Sequence, residues 1–313
     1  KIVVWFLLER FWMGYKCFYH SSDLDGKCSA AIVKYKYPIA DLYPIDYYNS
    51  VEIRSETRIY HFMDSLRDSR IKNENVFSFT KEDIVIMCDF CFTDFNLMFF
   101  IKENCKNFIW LDHHYSAINK SEKYNFETNG ILDEESSGCM LTWKYFFPEK
   151  DIPYCVNLID KYDTGDFYFN DDVLPFEYGM RNQNDKEILP NNLQFWTQLF
   201  ENKELINRIL NEGRICLRYQ KKLNKKLLRN AFRSNFEGWR CVVVNSSQIN
   251  SLFFNELEDR DKYDILISCS LDVKGNWNIS LYTEKPYINV AQIAEKYGGG
   301  GHKKAAGFKT KEF

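Results

Sequence analysis

The sequence predicts an α/β protein in two parts. A parallel sheet with helices on both faces comes first, then a helical connector, then a smaller α/β domain. Three observations carry this reading. From residue 15 to about 160, short apolar runs of strand length alternate with stretches of helical spacing, the order that builds a parallel sheet covered on both sides. Glu201 to Phe232 is long, charged and free of proline, as a connecting helix would be. From Trp239 onward the strand-like runs return. With 313 residues the chain exceeds the usual size of one hydrophobic core, which also favours two domains. The expected divisions are an N-terminal extension over 1–12, a main domain over 13–190, the connector over 191–236 and the second domain over 237–313.

Tyr15 to His20 reads as a short buried strand, and Asp23-Leu24-Asp25-Gly26 as the turn after it. Cys28, Ala31, Ile32 and Tyr35 then recur at helical spacing until Pro38 stops the helix. Ile39 to Tyr47 reads as a second strand interrupted by Pro44, and Ile84 to Cys88 as a buried one. Thr93 and Asp94 are caps for a helix carrying Leu97, Met98 and Ile101. Phe108 to Leu111 is a further strand. Ser136 and Ser137 cap a helix running through Phe147, and Pro153 suits the first turn of the next, which reaches about Asp160. In the second domain Cys241–Val244, Tyr263–Ser268 and Trp277–Tyr282 read as strands, and Asn289–Tyr297 as a short helix. There is no solenoid repeat and no low-complexity segment.

Composition narrows the function. Forty-one basic residues against 44 acidic ones give a net charge of −3, so no global positive field exists to hold long nucleic acid. The one basic cluster, Lys221, Lys222, Lys225, Lys226 and Arg229, is a solvated helix face or a weak phosphate-attracting stripe. Ten cysteines are scattered, several within apolar runs, so they read as free thiols in a reducing cytoplasm rather than as disulfides. Cys88 and Cys91 form a C-x-x-C without a second pair, weak as a zinc or redox motif. The opening run Ile2–Leu8 is too short to span a membrane and lacks a small-residue cleavage site. Met13 reads as a start, with the twelve residues before it as an extension. No membrane partner is expected.

Five constellations carry chemistry. His20-Ser21-Ser22-Asp23-Leu24-Asp25-Gly26 puts three candidate ligands at one strand end, and two nearby carboxylates call for a proton or a cation between them. The plain alternative is turn capping by aspartate. Asp89 stands at the tip of the buried strand Ile84–Cys88, where a helix-capping role competes with a ligand role. Asp112-His113-His114 follows another strand; adjacent histidines also occur in ordinary polar loops. Asp160 and Asp163 lie three apart near a helix end, so both can project to one side. Last, Gly298-Gly299-Gly300-Gly301-His302 followed by Lys303-Lys304-Ala305-Ala306-Gly307 offers backbone N–H groups and room for close approach to a phosphate or a base. In parallel sheets ligands gather beyond the carboxyl ends of the strands, where the first three constellations stand.

Taken together and in this order, these five elements resemble the DHH phosphoesterase family with its DHH-associated C-terminal domain. The resemblance runs from about residue 15 to 310. The family includes single-strand exonucleases, nano-RNases and cyclic-dinucleotide phosphodiesterases, and the G-G-G-H-x-x-A-A-G string distinguishes this branch from the pyrophosphatases. The resemblance implies a site for two ions, Mn²⁺ or alternatively Mg²⁺ or Co²⁺. It implies His20 and Asp23 as ligands of one ion, Asp25 and His113 of the other, and Asp89 between them. Asp163, within a D-T-G-x-F string, is the last ligand, with Asp160 as runner-up. His114 is then the residue facing the substrate phosphate. Asp112 orients the histidines, and Gly298 to Gly301 with His302 form the substrate-binding rim. A donor set rich in carboxylates with one imidazole per ion independently suits Mn²⁺ or Mg²⁺ better than zinc. One departure stands out: where relatives carry a Ser-Leu-Arg-like string, this chain has Ser280-Leu281-Tyr282. Another cation such as Lys303 replaces the arginine, or the substrate differs.

The expected activity is hydrolysis of phosphodiester bonds in short oligonucleotides or linear dinucleotides. Cyclic dinucleotides or small phosphorylated metabolites are the alternative. A catalytically silent nucleotide-binding module is the third reading, against which the complete ligand set argues. A homodimer is compatible with the sequence.

Overall fold

A computed structural model describes residues 14–46, 51–55, 59–62, 75–92, 94–167, 169–247 and 249–312, and side chains of these except over 51–76. The extension, Met13, Tyr47 and Thr93 lie outside the described residues.

The chain opens with β1 (Tyr15–His20), α1 (Leu24–Lys36) and β2 (Asp41–Ile45). Three short strands follow, β3 (Val51–Ser55), β4 (Ile59–Phe62) and β5 (Asn75–Phe79), and then β6 (Ile84–Cys88), α2 (Phe95–Asn104), β7 (Asn107–Asp112), α3 (Tyr115–Lys123) and β8 (Ile131–Leu132). A helical run comes next: α4 (Gly138–Phe146), α5 (Tyr154–Asp163), α6 (Val173–Arg181), α7 (Leu193–Glu201) and the 25-residue α8 (Lys203–Leu227). The last stretch holds β9 (Phe232–Phe236), β10 (Trp239–Asn245), β11 (Ile265–Leu271), β12 (Trp277–Tyr282), α9 (Val290–Lys296), β13 (Gly300–Gly301) and β14 (Ala305–Thr310).

The first sheet has the order β2-β1-β6-β7-β8 and is parallel throughout. The chain leaves β1 in one direction to make β2 and returns to place β6 on the other side. The carboxyl ends of β1 and β6 therefore flank a switch point, where a crevice opens in such sheets. Pro44 is tolerated because β2 is an edge strand. One face packs Cys17, Ile86, Ile109 and Leu111 against α1, α4, α5 and the helices after them. The other packs Phe18, Val85, Met87 and Trp110 under α2 and α3. These two cores are the helix layers that the alternating pattern predicts.

The second sheet, β13-β14-β12-β11-β10-β9, is antiparallel except for the β10–β11 pair. Here α9 covers one face through Val290, Ala291 and Ile293. Phe253 and Phe254 cover the other, and the end of α8 packs there through Leu227. The small sheet β4-β3-β5 was not legible in the sequence.

Two expectations change. The Asp23–Gly26 segment is no turn: Asp23 caps α1, which already begins at Leu24. Gly26 sits in the first helical turn, and its role is proximity, since a Cβ there would lie 2.0 Å from the carbonyl oxygen of His20. Pro153 is the N-cap of α5, and that helix runs on to Asp163. The basic cluster on α8 is exposed, and Lys225 pairs with Glu256 at 3.2 Å, so it reads as a solvated face. All ten cysteines are free thiols; Cys88 and Cys91 are buried. Among the described residues no helix is long and apolar enough to cross a membrane.

Candidate metal centre

Each strand end delivers its side chain for a local reason. His20 closes β1, and its Nδ1 lies 2.7 Å from Oδ2 of Asp23 and 3.5 Å from Oδ2 of Asp89. The other oxygen of Asp23 accepts the N–H of Gly26 and caps α1. Asp25, in the first turn of α1, is buried and reaches across to α4, accepting from the N–H groups of Gly138 at 2.7 Å and Cys139 at 2.8 Å. Two donors at a helix N-terminus hold that carboxylate in place.

Asp89 follows β6 with φ of 54°, in the left-handed region that few non-glycine residues occupy. It is 1% exposed, and neither of its oxygens accepts a hydrogen bond from the described residues. Three imidazole nitrogens surround it instead: His113 Nε2 at 3.2 Å, His20 Nδ1 at 3.5 Å and His114 Nδ1 at 3.6 Å. A strained backbone that presents an orphaned buried carboxylate is what a ligand site produces.

Asp112, the last residue of β7, is fully buried. Its Oδ1 accepts from the backbone N–H of His113 at 2.8 Å, and the Nδ1–H of His114 points at the same oxygen from 2.8 Å. The indole N–H of Trp110 donates to Oδ2. Asp112 thus sets the backbone and one imidazole of the pair and lies behind the cluster. His113 Nε2 then sits 3.2 Å from Oδ2 of Asp163 and 3.7 Å from Oδ2 of Asp25. That Asp163 oxygen is also buried without a hydrogen bond.

Asp160 and Asp163 do not project to one side. Asp160 turns inward, where its Oδ1 accepts the N–H of Ser137 at 2.8 Å, so it braces the start of α4. Among the described residues the donor groupings able to hold an ion are His20–Asp23–Asp89, Asp25–His113–Asp163, Asp89–Asp112–His114 and His113–His114–His302, none with Asp160.

Electrostatics follow from burial among like and unlike charges. Burial, then Asp89, pushes the Asp25 carboxyl up to about 7. Burial, together with Asp25 and Asp89, raises Asp163 well above the usual range despite His113. Burial would also raise Asp89, but the imidazoles of His113, His20 and His114 outweigh it and hold that carboxyl well below its ordinary value. Burial alone would depress His20 and His113; the carboxylates of Asp23 and Asp163 respectively, with Asp89 beside both, hold them well above. Without a cation the site shares protons among carboxylates and imidazoles, and a divalent ion could replace those protons.

The second sheet closes one side. The His302 ring stacks on His114 at 4.7 Å and lies 4.8 Å from His113. Burial and the two neighbouring imidazoles hold it well below the usual imidazole range. The glycine run offers fewer free donors than four bare amides suggest: Gly298 and Gly299 donate to Glu295 and Ala294 at the end of α9, and β13 pairs with β14. Closeness remains, with a Cβ at Gly300 lying 3.5 Å from Ser116 Oγ. Tyr282, standing where an arginine was expected, donates to the carbonyl of Ile249. Lys303, the suggested replacement, pairs with Glu134 at 2.9 Å and lies over the Tyr115 ring.

Gly138 escaped the sequence reading. A Cβ there would meet the Asp89 side chain at 2.7 Å and Asp25 Oδ2 at 2.9 Å, so only glycine lets α4 abut both carboxylates. Its signal was a glycine directly after a helix-capping serine.

No protein-family model matches the chain. It is 26% identical over 309 residues to the uncharacterized protein R106 of Acanthamoeba polyphaga mimivirus, covering 92% of this chain and 66% of that one. It is also 26% identical over 221 residues to the oligoribonuclease NrnB of Bacillus subtilis (strain 168), covering 63% of this chain and 51% of that one. The chain therefore spans between half and two thirds of the length of these relatives. The pGpG-specific phosphodiesterase PggH from Vibrio cholerae shares the fold at a TM-score of 0.50 with 14% identity, over 95% of this chain and 92% of that one. This shared fold, the sequence likeness to NrnB and the order of the five motifs along the chain bear out the resemblance to the DHH phosphoesterase family.

Proposed function

We propose that the protein is a metal-dependent phosphodiesterase acting on short oligonucleotides or linear dinucleotides. The observation that carries this reading is Asp89: both oxygens are buried without a hydrogen bond, at the switch point of a parallel sheet, among three imidazoles. A carboxylate so placed needs a cation, and the surrounding donors fit one. His20 and Asp23 would hold one ion, and Asp25, His113 and Asp163 a second, with Asp89 reaching both. Oxygen-rich coordination with few imidazoles favours Mn²⁺, with Mg²⁺ or Co²⁺ as substitutes. Such ions lower the pKa of water and neutralise charge on a phosphate, which suits hydrolysis of a diester without a side-chain nucleophile.

The remaining groups position the substrate. Asp112 takes the Nδ1–H of His114 and leaves Nε2 as the ring nitrogen able to meet a phosphate oxygen. His302 supports the same edge from the second sheet. In the overall reaction water adds its oxygen to phosphorus, the ester P–O bond breaks, and the departing oxygen takes a proton. The sharing of ligands and rim between two sheets favours the domain division 13–190 and 237–313 with a connector at 191–236. Ten free thiols, eight of them at 6% exposure or less, favour a reducing compartment such as the cytoplasm.

The test is a panel of dinucleotides, a five-mer, cyclic dinucleotides and pyrophosphate, incubated with Mn²⁺ before and after dialysis against chelator. Turnover of the dinucleotides and five-mer that disappears on chelation and returns with Mn²⁺ supports the proposal. Turnover by the metal-free protein, or of pyrophosphate alone, overturns it.

A further inference from the structure

A cavity of about 390 Å³ opens beside the metal centre, with Asp23, Asp25 and Asp163 on one wall. Its size falls within the range of roughly 300–1,000 Å³ typical of small-molecule sites. Met180, Ile188 and Ile249 give it apolar walls. Five polar groups come from three different elements and one loop: Lys27 on α1, Tyr162 on α5, Glu177 and Arg181 on α6, and Asn250 before the 3-10 turn at Ser251–Glu256. All but Lys27 are tied together. Arg181 donates from Nε to Glu177 at 2.7 Å and from Nη2 to the Tyr162 hydroxyl at 3.1 Å, and Asn250 donates to that hydroxyl at 2.7 Å.

Two features mark this network as made for a ligand. Glu177 is buried, yet Arg181 occupies only Oε1 and leaves the other oxygen without a hydrogen bond among the described residues. Lys27 lines the same cavity, next to the carboxylates, and makes no ion pair or hydrogen bond there among the described residues. An ammonium unspent at the edge of a carboxylate cluster is poised for an incoming anion. Apolar walls with a few fixed donors and one free acceptor suit a nucleobase, whose faces are apolar and whose edge carries both donors and acceptors.

We propose that this cavity is a nucleoside subsite, taking the base and ribose of one nucleotide of the substrate, with Lys27 on the phosphate that leads to the metal centre. The proposal rests on the phosphodiesterase reading for its substrate class. It adds a pocket lined mainly by α1, α5 and α6, closed by Ile249 and Asn250 from the second sheet's loop, with room for a single nucleoside there.

Calorimetry with adenosine and guanosine 5′-monophosphate on the Mn²⁺-loaded full chain tests it. Lys27→Ala should weaken binding about tenfold, the loss of one charge-assisted contact. Ile249→Trp, which fills the cavity from a loop, should do the same or more, with unchanged circular dichroism melting as the check on folding. Steady-state kinetics on a dinucleotide should show the loss in KM rather than in kcat. Native affinity for both monophosphates in both variants overturns the subsite, whatever the enzyme hydrolyses. If the native chain binds monophosphates and the variants do not, yet no diester is turned over, the subsite stands and the phosphodiesterase reading falls.

Discussion

The two sheets meet at one cleft but bring opposite materials to it. The parallel sheet supplies charge from rigid strand tips: Asp89 and Asp112 are essentially inaccessible, and His113 is 2% exposed. The mixed sheet supplies one imidazole and a glycine hairpin, all half-exposed. Buried carboxylates are costly unless a cation compensates them, so they must sit where neither backbone nor solvent can relax around them. Contacts that only grip a substrate can stand on a looser rim. The difference teaches where to look for chemistry and where for recognition, and each prediction below probes one side against the other.

The largest effect should come from Asp89. Asparagine keeps the shape and tolerates the left-handed backbone, so Asp89→Asn tests charge alone. Catalysis (kcat/KM) on a dinucleotide should fall by at least about a thousandfold, the several kcal/mol that metal-ion catalysis supplies. The metal-free variant should melt lower than the native metal-free chain, because the imidazoles of His20, His113 and His114 lose the charge that holds them. Near-native turnover would mean that Asp89 is no ligand.

Next comes the pair that the sequence could not separate. Asp163→Asn should weaken Mn²⁺ binding sharply with little change in metal-free stability. Asp160→Ala should leave Mn²⁺ affinity near native, yet cost about 1–3 kcal/mol of stability by stranding the N–H of Ser137. Isothermal titration and thermal melts on both variants read the two effects apart, and the reverse pattern would exchange their roles.

These residues show what the sequence could tell. His20, Asp89 and Asp112 stood out because each polar side chain ends an apolar run, and a parallel sheet gathers such ends along one edge. Asp160 was ambiguous because its partner, the Ser137 N–H, lies 23 residues away and leaves no local trace. Glu177 and Arg181 did not stand out, because an i,i+4 acid–base pair is ordinary on a helix surface; only the packing of α6 beside α5 turns them toward a cavity. The strand β9 was hidden in the tail of a charged stretch, since its mostly exposed residues carry no apolar alternation. The free-amide reading of the glycine run failed for a related reason, because spacing does not reveal that α9 ends by taking two of those donors.

A smaller effect follows from protons. In the metal-free chain Asp25 titrates near 7 instead of its ordinary 3.8, so the folded state holds a proton that the unfolded state has already lost. That difference makes folding less favourable as pH rises from about 4 through 7. His20 and His113, raised above 6.5, stabilise the fold while protonated in both states; this contribution is complete below 6.5 and fades as pH climbs through their folded values. Asp89, held low, contributes stability that is lost only in strong acid. Between pH 6 and 9 only His302, held low, works the other way, and its gain is complete just above 6.5; the raised Asp163, His20 and His113 outweigh it. The chelated protein should therefore melt several degrees lower at pH 9 than at pH 6. Saturating Mn²⁺ should flatten or invert that slope, because the ions take the place of those protons. A melting temperature independent of pH in chelator would remove the proton-sharing cluster.

The smallest effect concerns the rim, and it tests the division of labour directly. His302 comes from the mixed sheet, far in sequence from every proposed ligand, yet its ring stacks on His114 and touches the same edge as His113. If it only grips substrate, His302→Ala removes a contact made alike in the ground and transition states, which raises KM and leaves kcat. We expect about a tenfold rise in KM for a dinucleotide, the scale of one hydrogen bond or stacking contact to a phosphate or base. Mn²⁺ affinity should stay near native, and a small activated diester that reaches only the ions should lose far less. The stacking makes the alternative concrete: a ring 4.7 Å from His114 could hold that imidazole upright, and its removal would then tilt a group acting in the transition state. In that case kcat would fall alongside KM, equally for the dinucleotide and the small diester. Loss of Mn²⁺ would go further and make His302 a ligand. Measuring both substrates and metal content on one variant therefore decides whether the mixed sheet recognises substrate or takes part in the chemistry.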